Sequence, residues 1–99
     1  MKNKVLVTFH VLEVGISFDA FIPVNELVWK IKKLVSKSIS DLLNMQEIND
    51  KDYLLLNKDT STIYHNNDTI IHTDIRNGTE LFLIPIVKGG NGFVSLIKN

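Results

Sequence analysis

The sequence predicts one two-layer α+β domain, in which a single helix packs across a mixed sheet of four to five strands. Three observations predict it. Apolar residues alternate with polar ones near both ends of the chain, one long stretch between them has helical spacing, and the 99 residues suit one domain. A single helix and a single sheet bury their apolar surfaces most simply against each other.

The first part of the chain predicts an antiparallel hairpin. Residues 4–12 and 17–22 both alternate apolar and polar side chains, which is the pattern of a strand with two different faces. Gly15 lies between the two segments, where a tight turn favours a residue that accepts positive φ. Pro23 then ends the second predicted strand.

An amphipathic helix is predicted to follow Pro23. Asn25 is a suitable N-cap, and the spacing of Val24 and Trp29 is that of a hydrophobic staple. Apolar residues then recur at intervals of three and four as far as residue 43, so we expect Leu34 in the buried stripe and Lys33 on the exposed side. The stripe comprises Leu27, Val28, Ile31, Leu34, Val35, Ile39, Leu42 and Leu43.

The second half predicts the rest of the sheet. Residues 53–56 form a short apolar strand, and residues 62–64 form a brief strand that returns from a polar turn. Asn77-Gly78 is a strong turn signal because both residue types tolerate positive φ. Residues 79–87 make the last strand, which we expect to lie beside the first at the centre of the sheet.

Composition excludes several classes of function. Acidic and basic residues balance at 11 each, and Arg76 is the only arginine, which argues against nucleic acid and against a membrane surface as partners. No segment approaches the roughly 20 apolar residues that cross a bilayer, so no direct membrane insertion is expected. The absence of cysteine excludes disulfides and thiolate metal sites and fits a cytoplasmic protein.

Nothing in the sequence predicts catalysis, a cofactor or a bound metal. His10, His65 and His72 lack the spacing of metal ligands, and no pair of carboxylates is placed in one pocket. A domain of this size rarely encloses a substrate cavity. The glycines at 89, 90 and 92 are not followed by the Lys-Ser/Thr pair of a phosphate-binding loop. We therefore predict that the protein is not an enzyme.

Residues 4–90 resemble ubiquitin. The resemblance lies in the hairpin, in the helix entered through Pro23-Val24-Asn25, and in the segment from Asp74 to Leu81 with its buried isoleucine and tight turn. Gly89-Gly90 falls where ubiquitin has its terminal diglycine. The resemblance implies the ubiquitin-like β-grasp fold and a role in binding other proteins.

Within that superfamily the chain is most similar to the bacterial YukD/EsaB family. The likeness lies in the Leu56-Asn57-Lys58-Asp59 turn and in Ile75 followed by the Asn77-Gly78 turn; the tail after Gly90 does not match. The family comprises accessory proteins of the type VII (WXG100, or ESX-like) secretion system of Gram-positive bacteria. The resemblance implies a cytoplasmic adaptor with protein partners, among which components of that system are expected, and leaves the oligomeric state open.

Three residues are predicted to bind the partner. If Leu81 and Leu83 face the helix, strand alternation turns Phe82 and Ile84 outward, where ubiquitin has its main protein-binding patch. Leu55 is predicted to join them from the neighbouring strand, with Leu54 as the alternative. An exposed apolar patch of this kind normally marks an interaction site.

The predicted organisation is a β-grasp domain over residues 1–88 and a Gly-rich hinge with a short tail over residues 89–99. Nine residues follow Gly90, so the glycines are interpreted as a linker, and the tail's four apolar residues are expected to pack on the domain. Two alternatives stay open. One is a ubiquitin-like modifier or sulfur carrier that requires processing after Gly90, and the other is a ubiquitin-like module of a larger protein.

Overall fold

A computed structural model describes residues 3–43 and 52–86. It contains a four-stranded mixed sheet with one α-helix packed across it, as the sequence predicts. The strands are β1 (Lys4–Val11), β2 (Ile16–Pro23), β3 (Asp52–Asn57) and β4 (Glu80–Ile86), and the helix is α1 (Val28–Leu43). The predicted hinge and tail, 89–99, lie outside the described residues.

The strand order is β2-β1-β4-β3. β1 pairs antiparallel with β2 through the Gly15 turn and parallel with β4, so the first and last strands lie side by side at the centre. Gly15 and Gly78 have φ angles of 70° and 90°, which glycine adopts without steric cost. Both turns therefore form where the sequence predicts them.

The predicted fifth strand is reduced to a single bridge. Ile63 pairs with Leu56 outside the named strands, and residues 62–64 do not extend the ladder. The amide of Tyr64 donates to the carbonyl of Leu55 at 3.0 Å, and that of Asn57 donates to the carbonyl of Thr62 at 2.8 Å. These two bonds flank the bridge and fix the segment against the edge of β3.

The helix begins at Val28, two residues later than an Asn25 N-cap requires. Backbone carbonyls of a distant loop replace the predicted cap. The amide of Val28 donates to the carbonyl of Asp68 at 2.9 Å, and that of Trp29 donates to the carbonyl of Asn66 at 3.1 Å. Amides of the first turn have no partner within the helix, so these bonds satisfy them. The predicted staple is also wrong, because a helix that begins at Val28 moves the two staple positions to Glu26 and Ile31.

The core lies between α1 and the inner face of the sheet. Phe9 and Phe18 contact each other across β1 and β2, with ring centroids 5.6 Å apart. Leu34 is not part of this core: it is 56% exposed, which corrects the helical stripe predicted above. The buried apolar residues are Val7, Phe9, Val11, Ile22, Val28, Ile31, Val35, Ile39, Tyr53, Leu55, Tyr64, Ile70, Ile75, Leu81 and Leu83.

Candidate functional site

The candidate site is the face of the sheet that points away from α1. In β4, Leu81 and Leu83 are fully buried against the helix, so Phe82 and Ile84 lie on the opposite face, as predicted. Both are half-buried, and neither packs against the core. The structure therefore places these two predicted binding residues side by side on one outer surface.

The prediction for β3 is wrong in its register. Leu55 pairs with Leu83 and is 0% exposed, so it is a core residue and not a surface one. The alternative, Leu54, pairs with Ile84 and is half-buried on the outer face. Leu56 pairs with Phe82 on that same face. A shift of one residue in the register of a strand moves every side chain of that strand to the opposite face of the sheet.

Two residues of this surface were not predicted from the sequence. Leu56 completes the pair of outward leucines on β3, and Ile63 lies directly opposite Leu56 in the isolated bridge. Residues that pair across antiparallel segments project to the same side, so Ile63, at 49% exposed, extends the surface beyond β3. We name the outer patch by its five members: Leu54, Leu56, Ile63, Phe82 and Ile84.

A polar network borders the outer patch on β1, β2 and β4. Nε2 of His10 lies 2.7 Å from Oε1 of Glu80, and Nδ1 lies 2.7 Å from Oγ of Ser17. An ionised carboxylate only accepts, so Nε2 donates to Glu80 and, in a neutral imidazole, Nδ1 accepts from Ser17. The His10 ring also meets Phe82 edge to face, with centroids 5.5 Å apart. The network thus holds one side of the patch in place.

Glu80 is ionised within this network. The hydrogen bond from His10, and next the charge of Lys58, whose Nζ lies 3.5 Å away, hold the pKa of the Glu80 carboxyl below its usual range. Thr8 donates to Asp19 at 2.7 Å in the adjoining row of the same face. The outer face therefore has a charged, hydrogen-bonded band beside an apolar patch, an arrangement typical of protein interfaces with a polar rim.

Ser17, His10 and Glu80 are linked in the order of a hydrolase triad, but none of the three lines the cavities seen among the described residues. Acyl transfer also needs donors for the oxyanion and a cleft that holds the substrate. The three side chains stand on a sheet face, and the cavities of about 270, 380 and 430 Å³ are lined by other residues. Across residues 3–43 and 52–86, no group of three histidines or carboxylates is placed to hold a metal ion.

A second polar cluster positions Ile63 beside Leu56. The side-chain oxygen of Asn57 accepts from the amide of Asp59 at 2.9 Å, and its nitrogen donates to the hydroxyl of Tyr64 at 3.0 Å. The Tyr64 hydroxyl in turn donates to Asp74. Burial, supported by the hydrogen bond to Asp74, raises the pKa of Tyr64 to about 12, and that same bond lowers the pKa of Asp74.

The cluster predicts a specific loss of stability in acid. The pKa of Asp74 is lowered on folding, so its contribution is present above the unfolded pKa of about 4 and is lost as the pH falls through the folded value. Asp74→Asn should cost about 1 kcal/mol near neutral pH, and less near about pH 3. Urea denaturation at the two pH values measures this. Asp59→Asn, in the adjacent turn, is the matched control; an equal loss at both pH values for Asp74→Asn would contradict the prediction.

Within the described part of the chain, no helix has the length and apolar character needed to span a membrane. By sequence, the chain matches no protein-family profile and none of the curated proteins.

Solved structures give clear matches. A chain of the MycP5-free ESX-5 inner membrane complex aligns with a TM-score of 0.70 at 15% identity, over 88% of this chain and 22% of that one. Ubiquitin of Caldiarchaeum subterraneum aligns with a TM-score of 0.59 at 15% identity, over 89% of this chain and all of its own (100%). The UBL domain of Plasmodium falciparum Dsk2 aligns with a TM-score of 0.58 at 16% identity, over 82% of this chain and 99% of that domain.

The sequence identity of these matches is too low to assign a function to this chain. The matches do agree on its fold. This chain spans only 22% of the matched ESX-5 subunit but nearly the whole of the two ubiquitin-like structures. In this chain one helix lies across a mixed sheet, with the first and last strands parallel at its centre. The chain has the ubiquitin-like β-grasp fold.

Proposed function

We propose that this protein is a non-catalytic adaptor that binds other proteins through the outer patch. The observation that carries the proposal is the cluster of five large apolar side chains on the sheet face opposite α1, with a polar network along its border. Ile63 is 49% exposed and the other four are half-buried, so the patch offers part of each side chain as one apolar surface, which commonly marks an interaction site. We assign the contact with the partner to Phe82, Ile84 and Leu54. Leu55 is not part of it, because it is buried in the core.

The partner we propose is a component of a bacterial type VII secretion system, met in the cytoplasm. Two independent lines support this. The turns at residues 56–59 and 75–78 resemble the YukD/EsaB family, and a subunit of an ESX-5 inner membrane complex has a region of the same fold. We further propose that the domain spans residues 1–88, and that residues 89–99 form a hinge and tail that are not processed.

Replacing one residue of the outer patch tests the proposal. Phe82→Arg should remove the capture of type VII membrane components from a lysate of the native host, because it puts a charge in the middle of the apolar contact. The domain should lose less than about 1 kcal/mol of stability, since the long arginine stem still covers its neighbours. Affinity capture with identification by mass spectrometry, together with thermal denaturation, measures both effects.

The matched control is Phe21→Arg. Phe21 is 66% exposed on the same sheet face, but it pairs with Leu6 on the far side of the polar network. Capture should survive this change. Loss of capture in both variants would indicate a non-specific effect of added charge, and unchanged capture by Phe82→Arg would contradict the proposed site.

A further inference from the structure

A second apolar surface lies on α1, in the layer opposite to the outer patch. A groove of about 430 Å³ runs along the exposed side of the helix, with Trp29 and Leu34 among its lining residues. Leu34 is 56% exposed, and Trp29, the only tryptophan of the chain, is 39% exposed. Both side chains therefore present large apolar surface to a ligand while the core of the domain lies on the other side of the helix.

The charge around this groove is positive on balance. Among the described lining residues, Lys30, Lys33 and Lys37 are basic and Glu26 is acidic, and Lys37 also pairs with Asp41 at 3.9 Å. Lys30 is shared between Glu26, at 3.4 Å, and the face of the Trp29 ring, 5.7 Å from its centroid. The whole chain has a formal net charge of zero, so the positive charge here is a local concentration. Such a concentration favours a negatively charged ligand.

We propose that this groove binds an acidic peptide segment of a partner protein, with one bulky apolar side chain inserted between Trp29 and Leu34. Carboxylates of the segment would pair with the three lysines, while the apolar side chain would supply the buried contact that fixes its position. The proposal does not depend on the outer patch, because the two surfaces lie on opposite layers.

Other occupants fit the groove less well. A lipid surface is flat and takes up a protruding apolar face, whereas Trp29 and Leu34 line a recess that also contains Glu26. Arginine is the residue of choice for nucleic-acid recognition, and none is among the described residues that line the groove. The last nine residues of the chain contain a lysine and no acidic residue, so charge disfavours them as an internal occupant.

The single tryptophan allows a direct test with the full chain. The probe is a synthetic, tryptophan-free peptide of about three helical turns, built from glutamate with leucine at helical spacing. Trp29 emission should change saturably on titration with it. Two matched peptides should leave the emission unchanged: one with lysine in place of every glutamate, and one with alanine in place of every leucine.

Variants test whether the groove is the site that binds the acidic peptide. Leu34→Ala and Lys33→Glu both change exposed residues and should each weaken binding of the acidic peptide by about tenfold or more. Phe82→Arg, on the other layer, should bind the peptide like the wild type. No saturable change with the acidic peptide, equal binding of the alanine peptide, or full binding by Leu34→Ala would each overturn the proposal. A response to vesicles of phosphatidylglycerol, but to none of the peptides, would overturn it in favour of a lipid surface.

Discussion

Leu55→Asp is expected to unfold the domain, whereas Leu54→Asp is expected to leave it folded. Leu55 is 0% exposed and paired with Leu83 in the core, so the variant both removes apolar packing and buries an unpaired charge. The combined cost is about 5 kcal/mol or more, comparable with the whole stability of a small domain. Far-ultraviolet circular dichroism and urea denaturation measure it.

The neighbouring position is the matched control, because the same substitution is made one residue away. Leu54 is half-buried on the outer face, so Leu54→Asp should cost less than about 1 kcal/mol and should remove partner capture. If Leu54→Asp unfolded the protein and Leu55→Asp did not, the two faces of β3 would be exchanged. Leu55, and not Leu54, would then belong to the binding surface.

Ile31→Ala is expected to have the second largest effect, a loss of about 2–5 kcal/mol in the free energy of unfolding. Ile31 is 1% exposed in the middle of α1, so its truncation leaves a cavity against the sheet. Leu34→Ala should cost less than about 0.5 kcal/mol, because Leu34 is exposed and alanine favours the helix. Urea denaturation of the two variants measures the difference, and equal losses would show that α1 presents another face to the sheet.

Much of the fold follows from the sequence because its signals are local. Alternation over residues 4–12 and 17–22, the glycine at 15 and the Asn77-Gly78 turn each predict an element from a few adjacent side chains. Phe82 and Ile84 could be placed outward for a similar reason, since successive side chains of a strand point to opposite faces and Leu81 and Leu83 face the core.

The errors arise where the deciding partner is distant in the chain. Leu54, Leu55 and Leu56 are identical in kind, so only their pairing with β4 decides which one is buried. The start of α1 is decided by carbonyls of residues 66 and 68, about forty residues away, and no local signal at Asn25 reveals this. Ile63 joins the outer patch through a single β-bridge, which the periodicity of the sequence does not predict.

The prediction that Leu34 is buried is wrong for a different reason. The apolar residues of the helix cover a wider arc than the sheet can bury, and Leu34 lies outside the buried part of that arc. Leu42 lies in the last turn of the helix and is 70% exposed. Periodicity identifies the centre of an apolar stripe well and its borders poorly. The same excess of apolar surface supplies the Trp29–Leu34 groove, so this error marks a second candidate binding surface.

The most direct test of the central claim, that the outer patch is the protein-binding surface, is photocrosslinking in the native host. A photoreactive phenylalanine analogue is placed at Phe82 in one strain and at Phe21 in another; strand geometry puts the two on the order of 15 Å apart on one face. We expect discrete crosslinks to type VII secretion components from position 82 and none from position 21. Crosslinks from position 21 alone, or from neither position, would contradict it.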